Sequence, residues 1–102
     1  MSERPVAAVD DVPAGGCTLV EVEGARLVLA RVGSEVYALG DACAHRGGPL
    51  HQGRLAGTRL TCPWHGWMYD VRTGQCLLPA RGGPVPAYPV RVEAGRIFVD
   101  MP

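Results

Sequence analysis

The chain has 102 residues and a mass of 10.8 kDa, the size of one small domain, residues 1–102. Its formal net charge is zero, which offers no electrostatic case for nucleic acid or an anionic membrane as partner. No apolar run approaches the about 18 residues that a bilayer span needs, and no charged-then-apolar leader opens the chain, so a soluble cytoplasmic protein is expected.

Helical periodicity is weak throughout, whereas strand signals are frequent and closely spaced. CTLVEVEG (17–24) alternates apolar and acidic residues, ARLVLARVGS (25–34) follows, and EVYALGD (35–41) comes after a Gly33-Ser34 turn. These three predict an antiparallel meander. A turn-rich stretch comes next, in which GTRLTC (57–62) and GWMYDVRTG (66–74) read as short strands. RGGPVPAYP (81–89) holds three prolines and cannot be a central strand. AYPVRVEAGRIFVDM (87–101) predicts a final hairpin turning near Ala94-Gly95. About eight to ten short strands and no helix place the chain in the all-β class, as a small antiparallel sandwich or barrel.

Charge is unevenly placed. Residues 1–41 carry three Arg against seven acids, and residues 42–102 carry seven Arg against three acids, so the second part is basic by four charges. In that part lie two ligand bursts, Cys43-x-His45 and Cys62-x-x-His65, separated by 16 residues. Without a secretory leader, such cysteines read as metal ligands or free thiols rather than a disulfide framework. Glycines follow each burst, and loops of this kind turn peptide N–H groups toward buried sulfur. Pro49 and Pro63 stiffen them.

Three chemistries compete for this pattern. The residues could merely pack in a core. They could hold a structural zinc ion as Cys₂His₂, although CxH is tight for one tetrahedral ion. Or they could hold a [2Fe–2S] cluster in which two imidazoles replace two thiolates on one iron. For that ligand set each loop must deliver one thiolate and one imidazole, and each does.

The text C-x-H-x16-C-x-x-H, with HRGGPL, CPWHG and WHGWMYDVRTG around it, resembles the Rieske ferredoxin family, over roughly residues 18–101. The resemblance implies an antiparallel β-sandwich with a cluster-binding subdomain over about 42–88 at one tip. It assigns Cys43 and Cys62 to the inner iron and His45 and His65 to the outer one, with Gly83-Pro84-Val85-Pro86 as a covering third loop. It implies one [2Fe–2S] cluster with two thiolates, hence a neutral oxidised charge and a potential between about −150 and +300 mV. High-potential members join a cysteine from each loop in a disulfide; the matching positions here are Gly48 and Trp64. They also place a serine on a cluster sulfide where this chain has Trp67, while the tyrosine that donates to a ligand sulfur is matched by Tyr69. Fewer hydrogen bonds to sulfur predict the low end of the range.

Cys17 and Cys76 are expected as buried free thiols, His51 as a surface loop residue, and Arg46 as a solvated loop charge. Trp64 and Trp67 are expected to shield the cluster. With two of the three histidines assigned to the cluster, too few are left for the two-histidine, one-carboxylate site of a mononuclear-iron oxygenase. The resemblance therefore implies a one-electron carrier rather than an enzyme, passing electrons from a flavoprotein reductase to a terminal oxygenase such as an aromatic-ring-hydroxylating dioxygenase. The alternatives are a small subunit of NAD(P)H nitrite reductase, bound to its large subunit, and a zinc-binding interaction module.

Overall fold

Tight turns and apolar alternation set the architecture. The structure is a computed structural model that describes residues 2–44 and 47–102. Among them run eleven strands: β1 (Ser2–Ala8), β2 (Cys17–Val22), β3 (Ala25–Val32), β4 (Glu35–Gly40), β5 (Arg54–Ala56), β6 (Arg59–Thr61), β7 (Met68–Asp70), β8 (Cys76–Leu78), β9 (Ala87–Tyr88), β10 (Val90–Glu93) and β11 (Arg96–Met101). The helical segments among the described residues are 3-10 turns at Val9–Asp11 and Leu50–Gln52. None of the helices described is long and apolar enough to cross a membrane.

The strands form three sheets, ordered β1-β11-β10, β2-β3-β4-β9 and β5-β6-β7-β8. The predicted meander is β2-β3-β4, antiparallel from Cys17↔Ala30 to Val22↔Ala25 and from Leu27↔Gly40 to Val32↔Glu35. Its first turn, Glu23-Gly24, and the predicted Ala94-Gly95 turn both place two successive residues at positive φ. Such a turn matches the right-handed strand twist.

β3 explains how the sheets stack. Leu27 and Leu29 pack with Val36, Ala38, Ile97 and Val99. Val28 and Ala30, on the opposite face, pack with Leu39, Leu60, Tyr69 and Val71. All four β3 residues are at most 1% exposed. The β2-β3-β4-β9 sheet is thus the middle layer, covered on both faces, which is why its central strand reads as the unbroken apolar run LVLA. Each fully buried Leu or Val contributes about 1.5–3 kcal/mol relative to exposure.

Three strands escape the sequence reading. β1 contains Pro5 and a register shift between Pro5 and Ala7; as an edge strand it tolerates both. β5 and β8 are three residues each, too short for a visible alternation. The proline-rich stretch contributes only the two-residue edge strand β9, in line with the expectation that it is not central.

Candidate metal centre

The two predicted ligand loops share one backbone frame. In the first, the Cys43 N–H donates to Gly48 O (2.9 Å) and the Gly47 N–H donates to Cys43 O (2.7 Å). In the second, the Cys62 N–H donates to Trp67 O (2.7 Å) and the Gly66 N–H donates to Cys62 O (3.2 Å). The offsets from each cysteine are the same, and the fourth residue onward is a glycine at φ 70° in one loop and 72° in the other. That left-handed conformation is the reason for glycine at both places. His45 and Arg46 lie outside the described residues.

The frame brings two of the predicted ligands together. Cys43 and Cys62 are 4% and 2% exposed, and their side chains are within hydrogen-bonding reach of each other. Burial, the largest influence, pushes the Cys62 thiol up, while the backbone N–H groups of Trp64 and His65 donate to its sulfur and pull it back. The turned peptide groups expected from the glycines are therefore aimed at Cys62. His65, the remaining predicted ligand among the described residues, is exposed.

Tyr69 supplies a further donor. It is fully buried, and its Oη accepts the Ala44 N–H (3.0 Å) and lies 3.3 Å from Cys43 Sγ. A ligating cysteine is a thiolate, which can only accept, so in that state the Tyr69 hydroxyl donates to the sulfur. Burial first, then this bond, raises the Tyr69 phenol, so it stays a donor.

Where the disulfide of high-potential relatives would join the loops, Gly48 and Trp64 pack together instead. A Cβ on Gly48 would lie 2.9 Å from Cys62 Sγ and 3.1 Å from Trp64 Cδ2. Trp64 remains 56% exposed, so its shielding is one-sided. Trp67 is half-buried and packs against the core beneath the loops; Gly82 approaches both it and Cys76 too closely to carry a Cβ. The third loop is anchored as well: the Gly40 N–H donates to Pro86 O and the Val85 N–H donates to Gly74 O, each 2.9 Å. Gly47, Trp64 and Pro86, one from each loop, line a common groove.

One pair was invisible in the sequence. Asp41 is buried, and its Oδ1 accepts the His51 N–H (2.6 Å) while its Oδ2 meets His51 Nδ1 (2.7 Å). The His51 side chain is 19% exposed. His51 is therefore not the surface loop residue expected; the fold gives it a buried counter-charge that reads in the sequence only as the end of a strand. Cys17 and Cys76 are free. Cys76 is buried and donates to Pro79 O (3.4 Å). Cys17 is half-buried rather than buried, its thiol raised to about 11 by burial and by the charge of Asp41.

These residues fit a two-iron cluster. A [2Fe–2S] centre asks for two protein ligands per iron. Two adjacent buried thiols with N–H and O–H donors aimed at them, and an exposed imidazole three residues past one, suit an iron bound inside and another at the surface.

Comparison with known proteins agrees. A naphthalene 1,2-dioxygenase system ferredoxin component of Pseudomonas aeruginosa is 34% identical over 103 residues, covering 99% of each chain. The ferredoxin of carbazole 1,9a-dioxygenase from Nocardioides aromaticivorans IC177 superposes with a TM-score of 0.90 at 33% identity, over 97% of each chain. A complex of reduced oxygenase and oxidized ferredoxin in carbazole 1,9a-dioxygenase matches with a TM-score of 0.87 at 33% identity, over 95% of this chain and 91% of that one. Residues 2–89 match the Rieske [2Fe–2S] domain, so the paired loops, the sulfur-directed donors and the relatives converge, and the chain belongs to the Rieske [2Fe–2S] family.

Proposed function

We propose that the chain is a soluble, cytoplasmic one-electron carrier that takes electrons from a flavoprotein reductase and passes them to a terminal oxygenase of the aromatic-ring-hydroxylating kind. The observation that carries this reading is the pair of adjacent buried thiols beside an exposed His65. Cys43 and Cys62 would hold the inner iron, and His45 and His65 the outer one, within a cluster-binding subdomain over about 42–88. The bound cluster supplies a single reversible electron.

The protein's part is placement and electrostatics. The Trp64 and His65 N–H groups and the Tyr69 hydroxyl stabilise charge on the sulfurs without moving. Burial of both thiols keeps water from the inner iron, and His65 leaves one imidazole edge for a partner to touch. The Gly48–Trp64 contact in place of a disulfide supports a potential near the bottom of the Rieske range. The partner assignment is supported by the ferredoxin components among the relatives and by the oxygenase–ferredoxin complex that this fold matches.

The test is an anaerobic redox titration of the purified protein followed by electron paramagnetic resonance, with iron and sulfide analysis. Two irons and two sulfides per chain, a reduced signal shifted by nitrogen ligation, and loss of that signal in Cys43→Ser and His65→Ala are expected. Zinc in place of iron would overturn the reading. Arg54, Arg59 and Arg81 are exposed on the basic part of the chain. Electron transfer to an acidic partner should therefore slow as salt rises.

A further inference from the structure

Asp41 carries a charge where charges are costly. Its side chain is 1% exposed, and a buried carboxylate is tolerated only when paired and hydrogen-bonded. Both of its oxygens are committed to one residue, the backbone N–H and the Nδ1 of His51. A carboxylate can only accept, so Nδ1 carries a proton. The Asp41 N–H donates in turn to Arg26 O in β3 (3.0 Å), which ties the pair to the middle sheet.

The pair brackets the first ligand loop. Asp41 lies two residues before Cys43, and His51 three after Gly48. Inside this outer closure sits the backbone frame from Cys43 to Gly48. The 3-10 turn that carries His51 also reaches the second loop: Gly53 approaches the Thr61 carbonyl so closely that a Cβ has no room, and Thr61 immediately precedes Cys62. One turn thus joins the end of the first loop to the start of the second.

We propose that Asp41 and His51 form a positioning clamp for both ligand loops, and that the Asp41 carboxylate is a fixed negative charge that holds the cluster's potential down. The inference rests on the ligand assignment made above. Reduction adds an electron to the cluster, and a negative charge in a low-dielectric surround disfavours that step. The clamp acts through the backbone that carries Cys43 and Cys62, by the Asp41–His51 hydrogen bonds on one side and the Gly53–Thr61 contact on the other.

Asp41→Asn separates charge from shape. The amide oxygen still accepts the His51 N–H, and the NH₂ donates to Nδ1 once the imidazole proton moves to Nε2. In a dye-mediated titration of the loaded full-length protein, poised where wild type is half reduced, D41N should show a reduced-to-oxidised ratio several-fold higher. A tenfold rise equals about 59 mV for one electron. The clamp is read separately by the rate of iron release to a chelator. His51→Leu should release iron several-fold faster, while His51→Asn, whose amide can still donate to Asp41, should stay near the wild-type rate. A D41N ratio within twofold of wild type, or an H51L release rate equal to wild type, overturns the proposal. If D41N assembles no cluster, the two His51 variants decide: equal release rates refute the clamp, and fast H51L with slow H51N upholds it. A wild type without a two-iron spectrum refutes the ligand assignment and this inference together. A wild type with that spectrum and insensitive variants refutes the inference alone.

Discussion

Replacing Tyr69 by Phe removes one oxygen from the centre of the site. The ring stays, so the core beneath the loops, where Tyr69 is fully buried among Val28, Leu60 and Val71, keeps its volume. Two hydrogen bonds go: the 3.3 Å contact with Cys43 Sγ and the 3.0 Å bond from the Ala44 N–H. Losing them should cost stability by about 1–3 kcal/mol, because Ala44 is left without its acceptor. The redox effect is narrower, since only the difference between the two oxidation states counts. The sulfur is more negative after reduction, so the bond is stronger then. If it strengthens by about 1 kcal/mol, its removal lowers the potential by about 40 mV for one electron. The assay is a dye-mediated titration read by visible absorbance, alongside iron analysis. The expected result for Tyr69→Phe is full cluster content with a lower midpoint. An unchanged or raised midpoint at full cluster content would show that the hydroxyl does not serve the sulfur, and the donor geometry would need another explanation.

Other outcomes follow from neighbouring contacts. Gly48→Ala puts a methyl group 2.9 Å from Cys62 Sγ; iron content per chain should fall by half or more, and a fully loaded variant with an unaltered spectrum would contradict the packing. Cys17, raised to about 11 by burial and Asp41, should resist alkylation at pH 8 and gain rate about tenfold per pH unit until near its pKa. Because that pKa is raised, the thiol's contribution to stability is complete below the ordinary value of 9.0 and is lost as pH climbs through 11; mass spectrometry of alkylated protein across this range checks the first point, and alkaline unfolding of Cys17→Ala against wild type checks the second. Arg72 donates from its backbone N–H, Nε and Nη2 to the Asp70 carboxylate and lowers its pKa. A lowered pKa means stability that is present above the ordinary value near 3.8 and fades as pH falls below it. Arg72→Gln should flatten that acid limb and leave stability at pH 7 little changed, since the arginine is exposed and its ion pair is screened by solvent; denaturant melts at pH 7 and pH 3 check both.

The ligand motif was legible because its chemistry dictates residue types at short range: cysteine and histidine in each burst, and glycine where the backbone must turn left. The meander β2-β3-β4 was legible from alternation and tight turns. What escaped was set by the third dimension. β1 hides behind Pro5, which only an edge position tolerates. Asp41 and His51 are ten residues apart, and nothing local says that β4 and the 3-10 turn meet. The LVLA run was read as one strand of a meander, not as a strand that two different layers cover. The N–H groups turned toward Cys62 were anticipated from glycine; their donors, Trp64 and His65, needed the loop geometry.

The repeated loop frame has a further consequence. The backbone of each ligand cysteine is held by main-chain bonds to positions four and five residues on, and none of them depends on the side chains between. Ala44 and Pro63 are exposed on this mount. The tip therefore behaves like a replaceable faceplate on a fixed chassis: outer side chains such as those of Ala44 and Pro63 can be altered to suit a different docking partner while the backbone mount of the two cysteines stays where it is.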